Sequence, residues 1–393
     1  LDSSVKKRLM SDVPLGVFLS GGVDSSLLLG LMARHTDNLK SFNISFDVGG
    51  DYNEQKYARQ VANLFGAQHT ELVIGEREAF EFYTRMIHHQ DEPLADCVSI
   101  PLYYVSQSLR DSGARVVLIG EGADELFFGY SMYAKYLRAN NILSKFNFFP
   151  ESIKKIINSG ATKIFHDKYS FLDLIDNWSK SRSIFYSGAI AYPESMKKKF
   201  FKTHNFIEDP VVSQIYPGMS QGYDSYEYLN YHVKHKSIST EFVNIMLYLE
   251  LKNRLPELLL MRADKMTMSA SIEGREPFLD HKLVEFAFNV PENLKYKNGI
   301  TKYILKKAAE KILPQDIIYR KKVGFAAPTK AWFKDGKYFR PYFEELLVSK
   351  RGSIKQYFDI NFIEKMLTDH KSGKHNYADQ LWTLQNLFSL DCF

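Results

Sequence analysis

The sequence predicts an α/β fold: a parallel sheet flanked by helices, followed by a mainly helical C-terminal part. Three observations predict it. Strand-like and helix-like segments alternate over residues 1–130, the pattern of strands joined by helical crossovers. Two of the short apolar segments, within GVFLSGG and VVLIGEG, run directly into glycine turns. Beyond Tyr130 the strand signal fades and helical patterning dominates.

The elements follow in order. Val17–Leu19 is a short apolar strand, followed by the helical segment SSLLLGLMARH. In LKSFNISFD (Leu39–Asp47) Phe, Ile and Phe fall on alternate positions, the period of a strand. Tyr57, Val61, Leu64 and Phe65 of NEQKYARQVANLFG line one helix face, and Gly66 is the stop signal. HTELVI (His69–Ile74) is a strand, REAFEFYTRMIHHQ and IPLYYVSQSLRDSG are helices, and Val116–Ile119 is a second wholly apolar strand. In parallel sheets of this kind ligands bind beyond the C-terminal strand ends, where both glycine turns lie. Residues 131–240 read as mainly helical and 241–393 as helical again. Pro256 is expected to break or kink the longest apolar stretch, EFVNIMLYLELKNRLPELLLMRADKM.

The bulk numbers exclude several classes. A net charge of +5 over 393 residues is mild and implies no nucleic-acid partner. Two cysteines, Cys97 and Cys392, cannot form a disulfide framework, so a reducing, cytoplasmic location is expected. No apolar run reaches the roughly 18 residues of a membrane span, and LDSSVKKRLMSD is too polar for a signal peptide. The chain begins with Leu1 rather than Met, so a longer native protein is expected.

Four stretches carry chemistry. In SGGVDSS (Ser20–Ser26), Gly21 and Gly22 let main-chain N–H groups approach a ligand, and the following helix start attracts anions. No Walker A pattern is present. Asp24 beside a phosphate cradle suggests Mg²⁺, although Gly-Gly-x-Asp-Ser also caps helices well. In LIGEGADELFFGY, the acids Glu121, Asp124 and Glu125 crowd together, which calls for a cation or for simple stabilisation of a helix start. The third stretch, MRADKMTMSASIEGREPFLDHKLVEFA, reads by itself as a solvated charged loop. In the fourth, KNGITKYILKKAAEKILPQDIIYRKKVGFAAP, Lys302 opens an amphipathic helix. His88 and His89 are adjacent on a helix and suit one metal poorly, Cys97 reads as a packed thiol, and MKKKFFK as a solvated helix face.

SGGVDSS resembles the pyrophosphate-binding loop of the PP-loop ATP pyrophosphatases. With GEGADELFFGY, RADKMTMSASIEGREPFLDH and KYILKKAAEKILP…RKKVGFAAP, the chain resembles the synthetase domain of glutamine-hydrolysing (type B) asparagine synthetases. The lead-in RLMSDVPLGVFLSGG is similar to the segment that follows the glutaminase domain in that family. The resemblance implies an adenine nucleotide alpha hydrolase-like domain over 1–393, with a PP-loop core at 1–135 and a mostly helical extension at 136–393 that completes the site. It implies an enzyme that uses ATP and Mg²⁺ to adenylate a carboxylate, most simply aspartate, and transfers ammonia to give an amide, AMP and pyrophosphate.

Residue roles carry over by position. Ser20, Gly21, Gly22, Asp24, Ser25 and Ser26 would hold the pyrophosphate, and Leu19, Ile44, Ile119 and Gly120 the adenosine. Asp24 and Asp124 would be metal ligands, Glu121 a base, and Lys302 a counter-charge to the phosphates. The implied partners are a small carboxylate and ammonia or glutamine, with a glutaminase domain or separate ammonia source outside this chain; a homodimer is compatible, a nucleic-acid or membrane partner is not. Phe128 stands where the family usually has Gly, and Gly274 and Glu276 also depart from the family pattern. Glu276 adds negative charge where the acceptor would lie, which keeps open other acceptors such as a sugar uronic acid. Two more readings stay open. One is a tRNA-modifying PP-loop ATPase, which would want a broad basic surface. The second is a non-catalytic nucleotide-binding relative.

Overall fold

The computed structural model describes residues 1–48, 54–165, 167–202, 241–322 and 326–390. The chain forms two compact units. The first comprises 1–129, 255–348 and 367–393; the second comprises 130–254 and 349–366.

The first unit is built on a five-stranded sheet of order β3-β2-β1-β4-β5, with every pairing parallel. Its strands are β1 Leu15–Phe18, β2 Lys40–Phe46, β3 Gln68–Ile74, β4 Val116–Leu118 and β5 Glu273–Arg275. The helices of its first half are α1 Asp2–Arg8, α2 Val23–Met32, α3 Gln55–Leu64, α4 Glu76–Gln90, α5 Ser99–Asp111 and α6 Ala123–Phe127. The predicted α/β class therefore holds, and four strands lie where periodicity put them. Gly66 does end its helix, with φ +66°.

β5 is the element that helical patterning of 241–393 missed. Glu-Gly-Arg carries no apolar alternation; the strand exists because it pairs with β4, Leu118 opposite Arg275. Its position is fixed by α1. Arg275 donates to the carbonyls of Arg8 and Met10, and Ser4 Oγ donates to the Pro277 carbonyl at 2.5 Å. Asp280 caps the helix His281–Asn289 and pairs with Arg8 at 3.3 Å.

Pro256 does not end its helix. From Glu250 to Leu260 the winding widens to a π-helix that carries Pro256 inside it, and α-helix resumes at Met261. A wider turn accommodates the missing N–H and the ring, which would clash in an α-helix.

The second unit is helical among its described residues, with Ser131–Leu143, Glu151–Ile164, Tyr169–Ser179, Glu194–Phe200, Phe242–Leu249 and Arg351–Tyr357. The fully buried Glu250 holds it together, accepting from Tyr133 Oη at 2.7 Å and Gly188 N at 2.6 Å and pairing with Arg254 at 3.0 Å. In the basic run after Pro193, Lys197 pairs with Glu194 and Lys199 lies over Tyr169. The remaining residues of the helical reading, 203–240, lie outside the described residues, as do 323–325 and Cys392. No helix among the described residues is long and apolar enough to cross a membrane.

One glycine sets the sheet's packing. A Cβ on Gly16 would sit 2.9 Å from Cε2 of buried Phe42, 3.2 Å from Leu109 and 3.2 Å from the Lys40 carbonyl. The backbone neighbour cannot yield, so Gly16→Val is expected to cost about 1–3 kcal/mol. An unchanged denaturation midpoint would show that the sheet and α5 can separate freely.

Candidate active site

The loop after β1 is anchored before it turns. Leu19 N donates to the Phe42 carbonyl at 2.9 Å, and Asn43 Nδ2 donates to the Leu19 carbonyl at 2.8 Å. Gly21 has φ +70°, and a Cβ there would meet Tyr57 and Ala58 of α3 within 2.7 Å, so only glycine fits. Gly22 is the N-cap of α2 and no side chain caps that helix. Ser25 Oγ accepts from Ser20 N at 3.2 Å and lies 3.1 Å from Ser20 Oγ, while Ser26 Oγ is buried without a partner. The α2 start thus offers free N–H groups and hydroxyls in one place.

The loop after β4 meets it. A Cβ on Gly120 would lie 3.4 Å from Asp24 Cβ and 3.5 Å from Ser25 N. Ile119 reaches β5, with its Cδ1 3.1 Å from the position a Gly274 Cβ would take. Ile44 is buried in β2.

Asp24 is not a helix cap. Its Oδ2 accepts from Lys302 Nζ at 2.6 Å, and the same ammonium pairs with Asp124 Oδ1 at 2.8 Å. Lys302 is only 3 % exposed. Its backbone is left-handed (φ +53°), and Gly129 makes room for it, since a Cβ there would collide with Asp124 and the Lys302 side chain. Burial alone would lower the Lys302 pKa, but Asp124 and Asp24 outweigh it and raise it. Burial alone would raise Asp124; Lys302 and Lys322 outweigh it and hold the carboxylate well below its usual range.

Three cationic residues to which the sequence pattern assigned no role surround the same loops. Lys322 Nζ lies 2.7 Å from both Asp124 oxygens. Arg320 donates to the Gly21 carbonyl at 3.0 Å, pairs with Glu54 at 2.5 Å and covers the Tyr57 ring. Arg262 pairs with Asp96 at 2.5 Å and with Glu121. The third stretch is therefore not a solvated loop: it forms the helix Met261–Ser269, with Arg262 5 % exposed, and then β5. An arginine shortly after a run of leucines was the available signal.

Phe128 keeps the backbone that a glycine would favour, φ +61° and ψ +58°, and its fully buried ring packs 5.2 Å from Tyr296. The packing compensates a left-handed conformation worth about 1–2 kcal/mol of strain. His88 and His89 show no metal grouping, and among the described residues no cluster of three or more His, Cys, Asp or Glu could hold a metal ion. Burial pushes the Cys97 thiol up, in keeping with an inert packed residue.

The donor set still fits Mg²⁺ of the kind bound through substrate phosphates. Such ions take one or two protein carboxylates, with phosphates and water completing the shell. Asp24 Oδ1 is a buried carboxylate oxygen with no partner among the described residues, and Asp124 lies across the same ammonium.

Glu276 stands one residue past β5, at the same C-terminal edge of the sheet as Glu121. It forms no ion pair among the described residues. Burial, with Glu121 and Asp264 nearby, pushes its carboxyl up from 4.5 to about 7 despite Arg8. Folding thus favours the acid form, and the benefit is complete below about pH 4.5 and is lost as pH rises through about 7. Glu276→Gln is expected to raise the melting temperature at pH 8, by an amount on the order of 1–3 kcal/mol in stability, with little change near pH 5. Equal effects at both pH values in thermal melts would refute the environment assigned to this carboxyl.

Known proteins resemble the chain over most of its length. Asparagine synthetase [glutamine-hydrolyzing] 1 of Bacillus subtilis is 32% identical over 97% of this chain and 56% of its own length. Asparagine synthetase [glutamine-hydrolyzing] 3 of the same organism is 28% identical over 81% of the chain and 46% of its own length. Amidase chyE of Penicillium rubens is 26% identical over 84% and 51%. The chain thus spans about half the length of the curated relatives it matches. The family model described as Asparagine synthase matches residues 1–391, and the chain belongs to that family.

Proposed function

We propose that the chain is the synthetase part of an ATP-dependent amide ligase. It adenylates a substrate carboxylate and transfers ammonia to it, releasing AMP and pyrophosphate. Aspartate, giving asparagine, is the first candidate acceptor. The observation that carries the reading is the meeting of an anion-binding loop and an acidic loop around Lys302, with Asp24 at 2.6 Å and Asp124 at 2.8 Å.

The residues divide the work by position. Ser20, Gly21, Gly22, Ser25 and Ser26, at the start of α2, would bind the pyrophosphate through N–H and hydroxyl groups. Leu19, Ile44, Ile119 and Gly120 would border the adenosine. Asp24 and Asp124 would hold Mg²⁺, which supplies positive charge to the phosphates when bound. Lys302 would stabilise the charge that develops on the departing pyrophosphate, with Lys322 and Arg320 beside it.

In the first step an acceptor carboxylate oxygen attacks the α-phosphorus and the bond to pyrophosphate breaks. In the second, ammonia attacks the acyl carbon and the bond to AMP breaks. Glu121 would take the proton from the attacking nitrogen, and Arg262 would keep that carboxylate oriented. Ammonia would be free or supplied by a glutaminase domain outside these residues.

Glu276 supports a second reading of the acceptor. An ionised Glu276 beside Glu121 disfavours an acceptor that brings a further carboxylate. A monocarboxylate with hydroxyl donors, such as a sugar uronic acid, meets it better.

The test incubates the chain with ATP, Mg²⁺, ammonium and either aspartate or a uronate, measuring AMP, pyrophosphate and amide. Ammonium-dependent amide with matching AMP supports the reading; no AMP with any acid contradicts it. Glu121→Gln should fold normally and lose at least roughly 100-fold in amide formation, within the range of general-base loss. Near-full turnover would remove its assigned role. Asp24→Asn should weaken Mg·ATP binding, and unchanged ATP affinity would count against the metal assignment.

A further inference from the structure

The second unit holds a cavity of about 420 Å³ that the proposed reaction does not use. Small-metabolite sites run from about 300 to 1,000 Å³, so a single ion or water leaves it mostly empty. Among the described residues its lining contains two cationic side chains, Lys154 and Arg182, and no carboxylate.

Lys154 is the unusual residue. Its neighbours on Glu151–Ile164 are largely exposed, yet it is only 4 % exposed itself. Among the described residues no carboxylate pairs with it, and its ammonium makes no hydrogen bond. It lies 5.4 Å from the centre of the Trp178 ring, a cation–π contact that offsets part of its burial. Trp178 is itself locked, donating from Nε1 to the Leu143 carbonyl and to Asn147 Oδ1, both at 3.1 Å. The ends of Ser131–Leu143 and Tyr169–Ser179 add partial negative charge nearby, but none of their carbonyls is bonded to the ammonium.

An ammonium that lines a cavity with no carboxylate partner, on a side chain otherwise enclosed, attracts an anion that enters it. The other polar groups of the lining are suited to a many-oxygen anion. Ser144 and Ser181 bring hydroxyls, and Arg182 brings the planar donor set that matches phosphate.

We propose that the Lys154 cavity binds a small phosphate-bearing anion, with room for a body the size of a sugar. The site lies wholly within the second unit and is distinct from the loop at Ser20–Ser26.

The test titrates the chain with inorganic phosphate, glucose 6-phosphate and glucose by calorimetry, and repeats the series with Lys154→Met and Lys154→Arg. The proposal expects one of the two phosphates to bind, glucose not to bind, at least a tenfold loss in Lys154→Met, and retention in Lys154→Arg. ATP affinity should be unchanged in both variants. Tighter binding of glucose 6-phosphate identifies a phosphoester ligand, and equal binding identifies phosphate itself; either supports the site. Absence of binding by both phosphates, or binding that Lys154→Met leaves intact, overturns it. If Lys154→Met does not fold, protection of Lys154 from acetylation by the bound phosphate, read by mass spectrometry on the unmodified sequence, decides the question in the same way.

Discussion

The arrangement of the site depends on one buried ammonium. Lys302 lies between Asp24 and Asp124, which stand in the first turns of α2 and α6, the helices that follow β1 and β4. Without a cation between them, the carboxylates would repel across a partly desolvated gap. With it, the anion loop and the acidic loop are drawn to one spot. The geometry constrains the chain around it. The lysine takes a left-handed backbone, and position 129 must be glycine to leave space for the pair. Removing one partner from such a buried group costs more than the pair contributes, because an unpaired charge is left behind. On the proposed reading, the atoms that hold the two helix starts together would be those whose partners change when phosphate and metal bind.

The turn at residues 121–124 repeats this solution with a second cation. Asp124 is met by Lys302 and Lys322, and Glu121 by Arg262, which also holds Asp96. Two acids three residues apart are thus neutralised from distant parts of the chain. For Glu121, the sheet that brings residues 116–118 beside residues 273–275 carries Arg262 close. β5 is what does so, and α1 secures β5 through Arg275 and Ser4. The parallel register then places Glu121, Asp124 and Glu276 at one edge, where such sheets leave their crevice.

The strands and the two glycine loops were legible because their signals are local. Alternation in LKSFNISFD, apolar runs in VFL and VVLI, and glycines at strand ends need no knowledge of the rest of the chain. Asp24 as a metal ligand and a cation among Glu121, Asp124 and Glu125 were read from the residues as one option each, and the specific roles of Glu121, Asp124 and Lys302 came from the resemblance, as expectations; the structure brings Asp24, Asp124 and Lys302 together and leaves their roles as proposals. What stayed hidden is non-local. β5 is a strand because β4 accepts it, not because Glu-Gly-Arg prefers one. Arg262 looked like part of a solvated charged stretch: the leucines before it hint at burial, but its partners Asp96 and Glu121 lie more than 140 residues away. Pro256 follows the ordinary rule for α-helices and escapes it by a change of winding that no residue pattern advertises.

Glu276 shows what the charge pattern asks of a ligand. Among the acids at this edge, Asp24, Asp124 and Glu121 each have a protein cation within bonding distance. Glu276 has none among the described residues, and its nearest charged neighbours include Glu121 and Asp264. A carboxyl shifted toward its acid form by burial and by Glu121 can donate as well as accept, and on the proposed reading it would suit hydroxyl groups better than a second anion. Lys302 and Lys322 crowd around Asp24 and Asp124, whereas at Glu276 Arg8 is opposed by Glu121 and Asp264. The edge therefore divides into a half that favours anions and a half that favours hydrogen-bond donors. On the proposed reading, a carboxylate to be activated, carried on a body that is otherwise a hydrogen-bond donor, would suit both halves.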